Sequence, residues 1–230
     1  MTALTNLLAE NGPGSLIWWS WVGDHTDEIW HRTGQHVQLT AWAVVIGFVI
    51  SCALAAVILR FRWTQAPILS FTNILYTIPS LALFGFLIPI THLGFTSALI
   101  GLVSYTLLIL VRNLVTAIDG VPTAVKEAAD GMGYTPLKRF FAVDVRLATP
   151  AIIAGLRIAT VTTVGLVTIT AIVGEGGYGF FIFDGINRRF NTPIVVGAVC
   201  SVALAVLLDI VFVLLERALT PWSRRRVRVA

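Results

Sequence analysis

Residues 174–179 come closest in this sequence to a nucleotide-binding motif, because Gly-Glu-Gly-Gly-Tyr-Gly fits the spacing G-x-G-x-x-G. That fingerprint binds a dinucleotide only where it follows a β-strand and opens a helix, since the helix amides then face the pyrophosphate. Here it follows a long apolar run instead. We therefore expect no cofactor, and we interpret residues 174–179 as a flexible turn that leads into the short apolar stretch 180–183.

Other groups that perform chemistry are missing from the sequence or badly spaced. It has no G-x-x-x-x-G-K-[ST] loop that could hold ATP phosphates. The four histidines match no metal-ligand spacing, and no serine stands in a nucleophile context. Cys52 and Cys200 fall inside apolar runs, where a free thiol packs as a small hydrophobe. We expect no catalytic residue and no metal site, so the chain is predicted not to be an enzyme.

The composition is typical of a membrane protein. Hydrophobic residues make up 57% of the chain and charged residues 12%, with a mean hydropathy of +0.85, whereas a soluble domain carries about 25% charged residues. A formal charge of +4 could suggest nucleic acid. The basic residues, however, stand at the ends of apolar runs, so membrane topology explains them better and no nucleic-acid partner is expected.

Five apolar segments are long enough to cross a bilayer, which needs about 20 apolar residues per helix. We predict an all-α, multi-pass protein with spans at residues 37–59, 67–90, 95–117, 150–173 and 193–215. In the first span, Gly47, Ser51 and Ala55 put small residues on one face, where a second helix can approach closely. The second span is predicted to break at Pro79 and again at Pro89, because proline lacks an amide hydrogen.

The distribution of Lys and Arg predicts the orientation, since cytoplasmic loops carry an excess of both. One set of span ends collects most of these residues, including the basic tail at 217–230, and the other holds only Arg32, Arg188 and Arg189. We expect residues 1–36 to be an outer or interfacial segment, 37–216 the transmembrane domain, and 217–230 a cytoplasmic tail. Segment 118–147 is then cytoplasmic and loop 174–192 lies outside. The tail arginines Arg224, Arg225, Arg226 and Arg228 are expected to anchor the topology.

The cytoplasmic segment 118–147 has the pattern of two short helices joined at Gly133. Pro122 can open the first helix, whose apolar face is formed by Val121, Val125, Ala128 and Met132. Gly133 supplies a left-handed residue that ends it. Thr135 then caps a second helix with Pro136 in its first position, and Leu137, Phe140, Phe141 and Val143 are its apolar set. Such an amphipathic elbow can bind in a groove of a partner and couple its motion to the spans.

Glu127-Ala128-Ala129, followed by Gly133, resembles the EAA loop of binding-protein-dependent ABC importer permeases. The resemblance implies the five-span type I importer permease fold, in which this loop docks the ATPase subunit. Glu127, Ala128, Ala129 and Gly133 are then the coupling residues. The sequence departs from the family pattern at Arg146, where the family has proline, and Pro150 is expected to start span four instead.

A second stretch is similar to the osmoprotectant branch of that family. Tyr76-Thr77-Ile78-Pro79-Ser80-Leu81-Ala82-Leu83 and Gly85-Phe86-Leu87-Ile88-Pro89 carry this likeness, which covers about residues 37–216. It implies import of glycine betaine, choline or carnitine across the bacterial cytoplasmic membrane. From the residues themselves, we expect Tyr76, Thr77, Pro79 and Ser80 at the proline break to line the pathway, and Gly174, Gly176, Gly177 and Gly179 to form an outer gate. The implied partners are cytoplasmic ABC ATPase subunits, a second permease subunit (identical or related), an extracytoplasmic solute-binding protein and membrane lipid.

Charged residues inside spans are costly and predict either partners or function. Arg157 in span four and Asp209 in span five are expected to pair across adjacent helices, with a structural or a gating role. Trp18, Trp19, Trp21 and Trp30 are typical of an interfacial anchor, although an aromatic site for a quaternary ammonium solute is an alternative.

The sequence is also compatible with three other functions. The first is an ABC importer permease for methionine, another amino acid or a different small solute, against which the stretch from Thr77 to Pro89 argues weakly. The second is a membrane enzyme acting on lipid, which would need facing acids, histidines or a nucleophile at one depth. The third is a scaffold that does not transport, which would keep the elbow but tolerate bulky residues at Ser80 or Gly85.

Overall fold

Long apolar runs form helices throughout residues 16–221, the part of the chain that this computed structural model describes. Between the helices lie two 3-10 segments, Arg62–Thr64 and Thr168–Val173, and a π-helical turn, Phe140–Asp144. The α-helices are α1 (Trp19–Asp24), α2 (Thr26–Arg60), α3 (Gln65–Thr77), α4 (Ser80–Thr91), α5 (Phe95–Asp119), α6 (Thr123–Gly131), α7 (Pro136–Arg139), α8 (Val145–Val167), α9 (Gly179–Arg188) and α10 (Asn191–Leu219).

The all-α, multi-pass prediction is confirmed. Four helical segments within the described residues are long and apolar enough to cross a membrane, and the broken pair Arg62–Thr77 and Ser80–Thr91 gives a fifth if it is one span. The four are Thr26–Arg60, Phe95–Asp119, Pro136–Val173 and Asn191–Leu219. Each contains one of the predicted apolar runs. The basic cluster at 224–228 lies outside the described residues.

The first spanning helix starts earlier than the sequence pattern suggested. Helix α2 has 35 residues and begins at Thr26, so the expected boundary at residues 36 and 37 falls inside a continuous helix. Asp27 and Glu28 stand in its first turn, where their negative charge interacts favourably with the helix dipole. The polar start of α2 therefore belongs to the helix and carries side chains toward the glycine-rich turn that is described below.

The predicted break at Pro79 is present, whereas the one at Pro89 is not. Helix α3 ends at Thr77, and Pro79 has the extended backbone of a residue preceding a helix, with ψ 133°. Helix α4 continues through Pro89 to Thr91. Pro89 lies in the last turn of α4, so the hydrogen bond that it cannot donate to the carbonyl of Gly85 is lost close to the end of the helix, with only two residues still to follow. A kink is therefore not required there.

The elbow differs from two short helices in its second arm. Helix α7 runs directly into the π-helical turn Phe140–Asp144 and then into α8, so the second arm is the start of span four. Pro150 lies inside α8 and does not begin a span. The chain is therefore helical without interruption from Pro136 through Arg146 and Pro150 to Val167, with the π-helical turn as its one change of hydrogen-bond register before Pro150.

The chain divides into two compact units. Of the described residues, the first unit contains those up to Val44 together with the segments Ile78–Val103 and Thr160–Leu207, and the second contains the segments Val45–Thr77 and Ser104–Ala159 together with the residues from Leu208 onward. Within the first unit, Phe84 of α4 is fully buried against Gly101 of α5, and a Cβ on that glycine would lie 2.4 Å from the phenyl ring. The backbone amide of Gly94 also donates to the carbonyl of Val173 (2.8 Å).

The core of the second unit is built on close helix approach. Gly47, Ser51 and Ala55 of α2 are all buried, and a Cβ on Gly47 would meet the Thr106 hydroxyl oxygen at 2.0 Å. Toward the C-terminal end of α2, Ala55 and Ile58 pack with Val111, Leu114 and Val115 of α5 in one apolar cluster. The small-residue face that the sequence predicts is thus an internal packing face.

Candidate functional site

The coupling residues lie on α6 and on the turn that follows it. Glu127 and Ala128 are exposed, whereas Ala129 is buried. Gly133 has φ +80°, a left-handed conformation that favours glycine, and its amide donates to the carbonyl of Asp130 (2.9 Å). The amide of Tyr134 donates to the carbonyl of Ala129 (3.1 Å), which completes the end of the helix. Glu127 is therefore exposed on a helix whose C-terminal turn is closed by two backbone hydrogen bonds.

The second arm of the elbow begins with a capped helix, as the sequence predicts. The Thr135 hydroxyl oxygen accepts from the amide of Lys138 (3.4 Å), and Pro136 stands in the first helical turn. One ion pair ties the two arms together, because Arg139 lies 2.5 Å from Asp130 of α6. Arg139 also approaches the buried carboxylate of Asp144 at 3.7 Å. Arg139 therefore links the two arms of the elbow directly.

The elbow exposes apolar side chains that the protein itself does not cover. Met132, Leu137 and Phe141 are 69%, 70% and 65% exposed. Of the apolar face predicted for the first helix, Val121 is buried, whereas Val125, Ala128 and Met132 are exposed, so that face is divided between the core and the outside. We name Val125, Met132, Leu137 and Phe141 the coupling face. Exposed apolar groups of this kind, next to charged residues, mark interaction sites.

An open cavity of about 680 Å³ lies beside α6 in the second unit. Thr116 lines it from the end of α5, Gly120 from the turn that follows, Val125 from α6, and Leu147 and Ala151 from α8. Lys126 binds across the turn into α6, donating to the carbonyl of Ile118 (3.2 Å). The helix that carries Glu127 is thus attached to α5 at its base and leaves a cleft next to it.

The predicted pathway residues flank the break between α3 and α4. Tyr76 is partly exposed and packs edge-on against Tyr105 of α5, with ring centroids 5.8 Å apart. The Thr77 hydroxyl donates to the carbonyl of Ile74 (2.8 Å), which satisfies one group at the end of α3. The carbonyl of Pro79 accepts from the amide of Leu83 (2.9 Å), and Ser80 is the first residue of α4.

The segment that we name the glycine turn, residues 174–179, packs closely against the residues that precede it. Gly174, Gly176 and Gly177 have φ +85°, +123° and +47°. A Cβ on Gly176 would lie 2.3 Å from the backbone nitrogen of Ala171, and one on Gly179 would lie 1.9 Å from the carbonyl oxygen of Thr168. Most of the expected loop 174–192 is helix α9.

Three polar residues of α2 hold the glycine turn, and the sequence analysis did not identify this role. Gln35 contacts Glu175 through its amide nitrogen, and its oxygen accepts from the amide of Gly177 (3.2 Å). The Tyr178 hydroxyl donates to Thr33 (2.9 Å). Burial raises the pKa of Tyr178, so the phenol stays protonated and remains a donor. The sequence feature that could have indicated this role is the polar cluster from Thr33 to His36, which lies just before a long apolar run.

His36 is the buried centre of these contacts. Its Nε2 lies 3.0 Å from the carbonyl oxygen of Val164 and its Nδ1 lies 3.3 Å from the amide nitrogen of Tyr178. Since a carbonyl only accepts and an amide only donates, these partners assign the neutral tautomer with the proton on Nε2. Both ring nitrogens are then satisfied, and His36 holds the glycine turn against α8.

Arg157 of α8 and Asp209 of α10 form a bidentate ion pair in the second unit. The guanidinium Nε contacts one carboxylate oxygen, and Nη2 lies 2.7 Å from the other. Two parallel hydrogen bonds of this kind are stronger and more directional than a single contact. The structure thus brings together the two charged residues that the sequence places inside apolar helices.

The tryptophans near the start of the described chain divide into two pairs. Trp18 and Trp21 pack edge-on against Phe190, and Trp21 also stacks on His25 with ring centroids 4.1 Å apart. Trp19 and Trp30 are exposed. Since two of the four indoles are covered by aromatic neighbours, the four do not form one open aromatic cage.

Comparisons with known proteins agree with this architecture. The family described as "Binding-protein-dependent transport system inner membrane component" matches residues 35–221. The choline transport system permease protein OpuBB of Bacillus subtilis is 34% identical over 201 residues, 87% of this chain and 93% of that protein. The osmoprotectant import permease protein OsmW of Salmonella typhimurium is 37% identical over 194 residues, 82% and 90% of the two chains.

A solved structure shows the same fold. A chain of the methionine ABC transporter MetNI, in an inward-facing conformation, aligns with a TM-score of 0.75 at 22% identity, covering 86% of this chain and 98% of that one. The helical architecture and the family match lead to one conclusion. The chain belongs to the family of binding-protein-dependent transport system inner membrane components, and it is the permease subunit of an ABC importer of the inner membrane.

Proposed function

We propose that this permease carries a quaternary-ammonium osmoprotectant, namely glycine betaine, choline or carnitine, across the cytoplasmic membrane by alternating access. The observation that carries the proposal is the similarity, over more than four fifths of the chain, to permeases that are named for choline and for osmoprotectants. The MetNI likeness is below 25% identity and speaks for the fold alone. It gives no support to methionine as the solute.

The coupling face and Glu127 are the proposed docking site for a cytoplasmic ATPase subunit. Exposed Met132, Leu137 and Phe141 supply apolar area that a partner groove can bury, and Glu127 adds a charge for orientation. Ala129 and Gly133 act by shaping α6 and its end. In this proposal ATP is hydrolysed by the separate subunit, and its motion reaches the spans through α7 and α8, which are one continuous helical path.

The proposed orientation places the start of the chain outside and its end in the cytoplasm. The support is the excess of Lys and Arg on the side of segment 118–147, which holds Lys126, Lys138, Arg139 and Arg146. The glycine turn then lies at the outer surface, where Gly174, Gly176, Gly177 and Gly179 are proposed to form an outer gate that meets the solute-delivering protein. Tyr76, Thr77, Pro79 and Ser80 are proposed to line the pathway.

The proposed assembly contains two permease subunits, identical or related, with cytoplasmic ATPases, an extracytoplasmic solute-binding protein and surrounding lipid, and without nucleic acid. One permease chain supplies half of a closed pathway, because a symmetric importer forms its channel between two copies. The Arg157 and Asp209 pair is proposed to be primarily structural, since both side chains are engaged with each other in a bidentate contact.

Uptake by the reconstituted complex tests the proposal. Proteoliposomes would contain the co-purified importer with ATP inside and binding protein outside, and radiolabelled glycine betaine, choline and carnitine would be supplied in turn. We expect ATP-dependent uptake that Glu127→Lys abolishes, because charge reversal opposes ATPase docking. Asp27→Lys is the matched control, since it reverses an exposed acid at the start of α2 and should leave uptake intact.

The outcomes separate the parts of the proposal. Uptake of none of the three solutes, from a complex whose ATPase responds to another solute such as an amino acid, would retain the permease and discard the osmoprotectant assignment. Normal uptake by Glu127→Lys would discard Glu127 as a coupling residue. Equal loss in both charge reversals would show that the effect is not specific to the elbow.

A further inference from the structure

A second cavity lies in the first unit, beside the glycine turn, and nothing assigned so far accounts for it. It has a volume of about 460 Å³ and is bounded by the start of α2, the start of α5 and the glycine turn. Trp30, Gln35 and Gln38 line it from α2, Phe95 from α5, and Glu175 from the glycine turn. It therefore combines aromatic, amide and carboxylate groups in one small space.

Glu175 is the acidic residue of this cavity, and its position is set by a neighbour. The Gln35 side chain contacts one carboxylate oxygen of Glu175, while its own oxygen accepts from the amide of Gly177. The other carboxylate oxygen accepts no hydrogen bond from the part of the chain that the structure describes. A negative charge is thus held at the cavity with one side still available.

Arg32 of α2 makes no direct ion pair with that carboxylate. Arg32 lies with its guanidinium 3.7 Å above the ring of Phe180 and 3.6 Å from the carboxylate of Glu28. It also donates to the oxygen of Gln35 (3.3 Å). The contacts of Arg32 in the described structure are thus with Phe180, Glu28 and Gln35, while Glu175 faces the cavity.

The aromatic walls suit a cation that cannot donate hydrogen bonds. Trp30 is 74% exposed, and the half-buried Phe95 lines the cavity from the neighbouring helix. A quaternary ammonium group offers no N–H for a carboxylate to accept, so it is recognised by aromatic faces together with the long-range attraction of an anion. An indole, a phenyl ring and a carboxylate around one cavity supply both of these.

We propose that this cavity is a low-affinity site for the quaternary ammonium head of the solute, where Trp30 and Phe95 form the aromatic walls and Glu175 is the counter-charge. Gln35 is its positioning residue, because it orients Glu175. The proposal rests on the osmoprotectant function proposed above and adds the place in the permease where the solute first binds. The same headgroup occurs on choline lipids, so the test separates the free solute from lipid.

Binding is measured on the permease assembled with its ATPase, in nanodiscs made only of phosphatidylglycerol and phosphatidylethanolamine and without binding protein. The probes are radiolabelled choline and, as a competitor, 3,3-dimethylbutan-1-ol, which has the shape of choline without its charge. We expect saturable choline binding that the neutral alcohol does not displace. We expect Trp30→Ala to weaken it about 3- to 30-fold and Glu175→Gln to weaken it about 5-fold.

Two variants control for loss of an exposed indole and of a surface acid. Trp63→Ala removes an indole that is 79% exposed in the second unit, and Asp27→Asn neutralises an exposed acid that does not line the cavity. Both should bind choline within about two-fold of the wild type. Unchanged binding in Trp30→Ala and Glu175→Gln, or no choline binding by the wild type, would overturn the proposal.

A lipid arm and an uptake arm complete the test. If phosphatidylcholine in the nanodiscs suppresses choline binding, the cavity takes a lipid headgroup and the solute assignment is wrong. If the importer takes up choline with ATP but the permease binds none, this inference fails while the proposed function stands. If the cavity binds choline but the complete importer transports no quaternary ammonium solute, the proposed function fails and the site stands.

Discussion

His36 has no exposed surface, and both of its ring nitrogens bind backbone groups. Replacing it with leucine keeps a similar volume but leaves the Tyr178 amide and the Val164 carbonyl without partners, at a cost of about 1 to 3 kcal/mol for each buried group. We expect His36→Leu to lower the melting temperature of the purified permease clearly and to reduce uptake, because the glycine turn loses its attachment.

Tyr178→Phe is the graded comparison for His36→Leu. It removes only the hydroxyl that donates to Thr33, so we expect a loss of about 1 kcal/mol. The melting temperatures of the two variants are compared by heating the purified proteins and measuring the remaining folded protein by size-exclusion chromatography. A His36→Leu protein that melts with the wild type would mean that the turn does not depend on this residue.

Arg157 and Asp209 neutralise each other inside apolar helices, so we expect that exchanging both charges compensates for the damage done by either single change. Arg157→Asp alone and Asp209→Arg alone each place two like charges side by side, so the amount of folded permease should fall several-fold. The double exchange restores opposite charges and should recover most of that amount. Yields measured by fluorescence-detected chromatography test this, and a double variant no better than the singles would contradict a direct pair.

These residues show what the sequence can and cannot predict at this scale. Arg157 and Asp209 were predictable partners because a charge in an apolar run needs an opposite charge nearby. The role of His36 was not, because its partners are backbone groups 128 and 142 positions away in the chain. Backbone donors and acceptors occur at every residue, so no pattern of side chains indicates which of them a histidine will meet.

At the scale of elements, Gly133 provides a clean test of the elbow. It has φ +80° with open space around it, so Gly133→Ala introduces backbone strain of about 1 to 2 kcal/mol without a clash. We expect weaker ATPase stimulation and uptake, because the end of α6 shifts relative to α7. By contrast, Gly176→Val would also drive a side chain into Ala171, so it would report a damaged turn rather than gating.

Gly131→Ala is the matched control, two residues earlier on the same elbow. It lies in the last position of α6, also with open space around it, and its φ is not in the left-handed region. Alanine favours a helix more than glycine does, so this change should leave coupling unchanged and stabilise α6 by up to about 1 kcal/mol. Equal loss of uptake in both variants would rule out a special role for the turn at Gly133.

Helix starts and breaks were predictable where one residue type decides the backbone. Pro79 interrupts the second span, and Thr135 with Pro136 starts α7, because these residues leave few alternatives. Continuity past Pro89 and Pro150 was not predictable. Whether a proline breaks a helix depends on its place in the turn and on the neighbouring helices that compensate for the lost hydrogen bond, and neither is visible in the local sequence.

At the scale of the whole molecule, helix α10 is largely uncovered by the rest of its own chain. Only 6% of its most apolar window is buried within the described chain, compared with 67% for α5. A spanning helix this uncovered must contact lipid or another subunit, and the second permease of the proposed assembly is such a subunit. We expect two copies of this chain, or one copy and a related permease, in each complex.

Two differently tagged copies, expressed together with the ATPase, decide between these assemblies. If the permease pairs with itself and the two tags are expressed equally, purification through the first tag recovers the second tag in about half the amount of the first, because random pairing makes half of the dimers mixed and a quarter carry only the first tag. Mixing separately purified complexes is the control for exchange after lysis. Recovery of the first tag alone, with a second permease of different mass, would establish a heterodimer. A complex with one permease of about 25 kDa and no other membrane subunit would contradict the paired pathway.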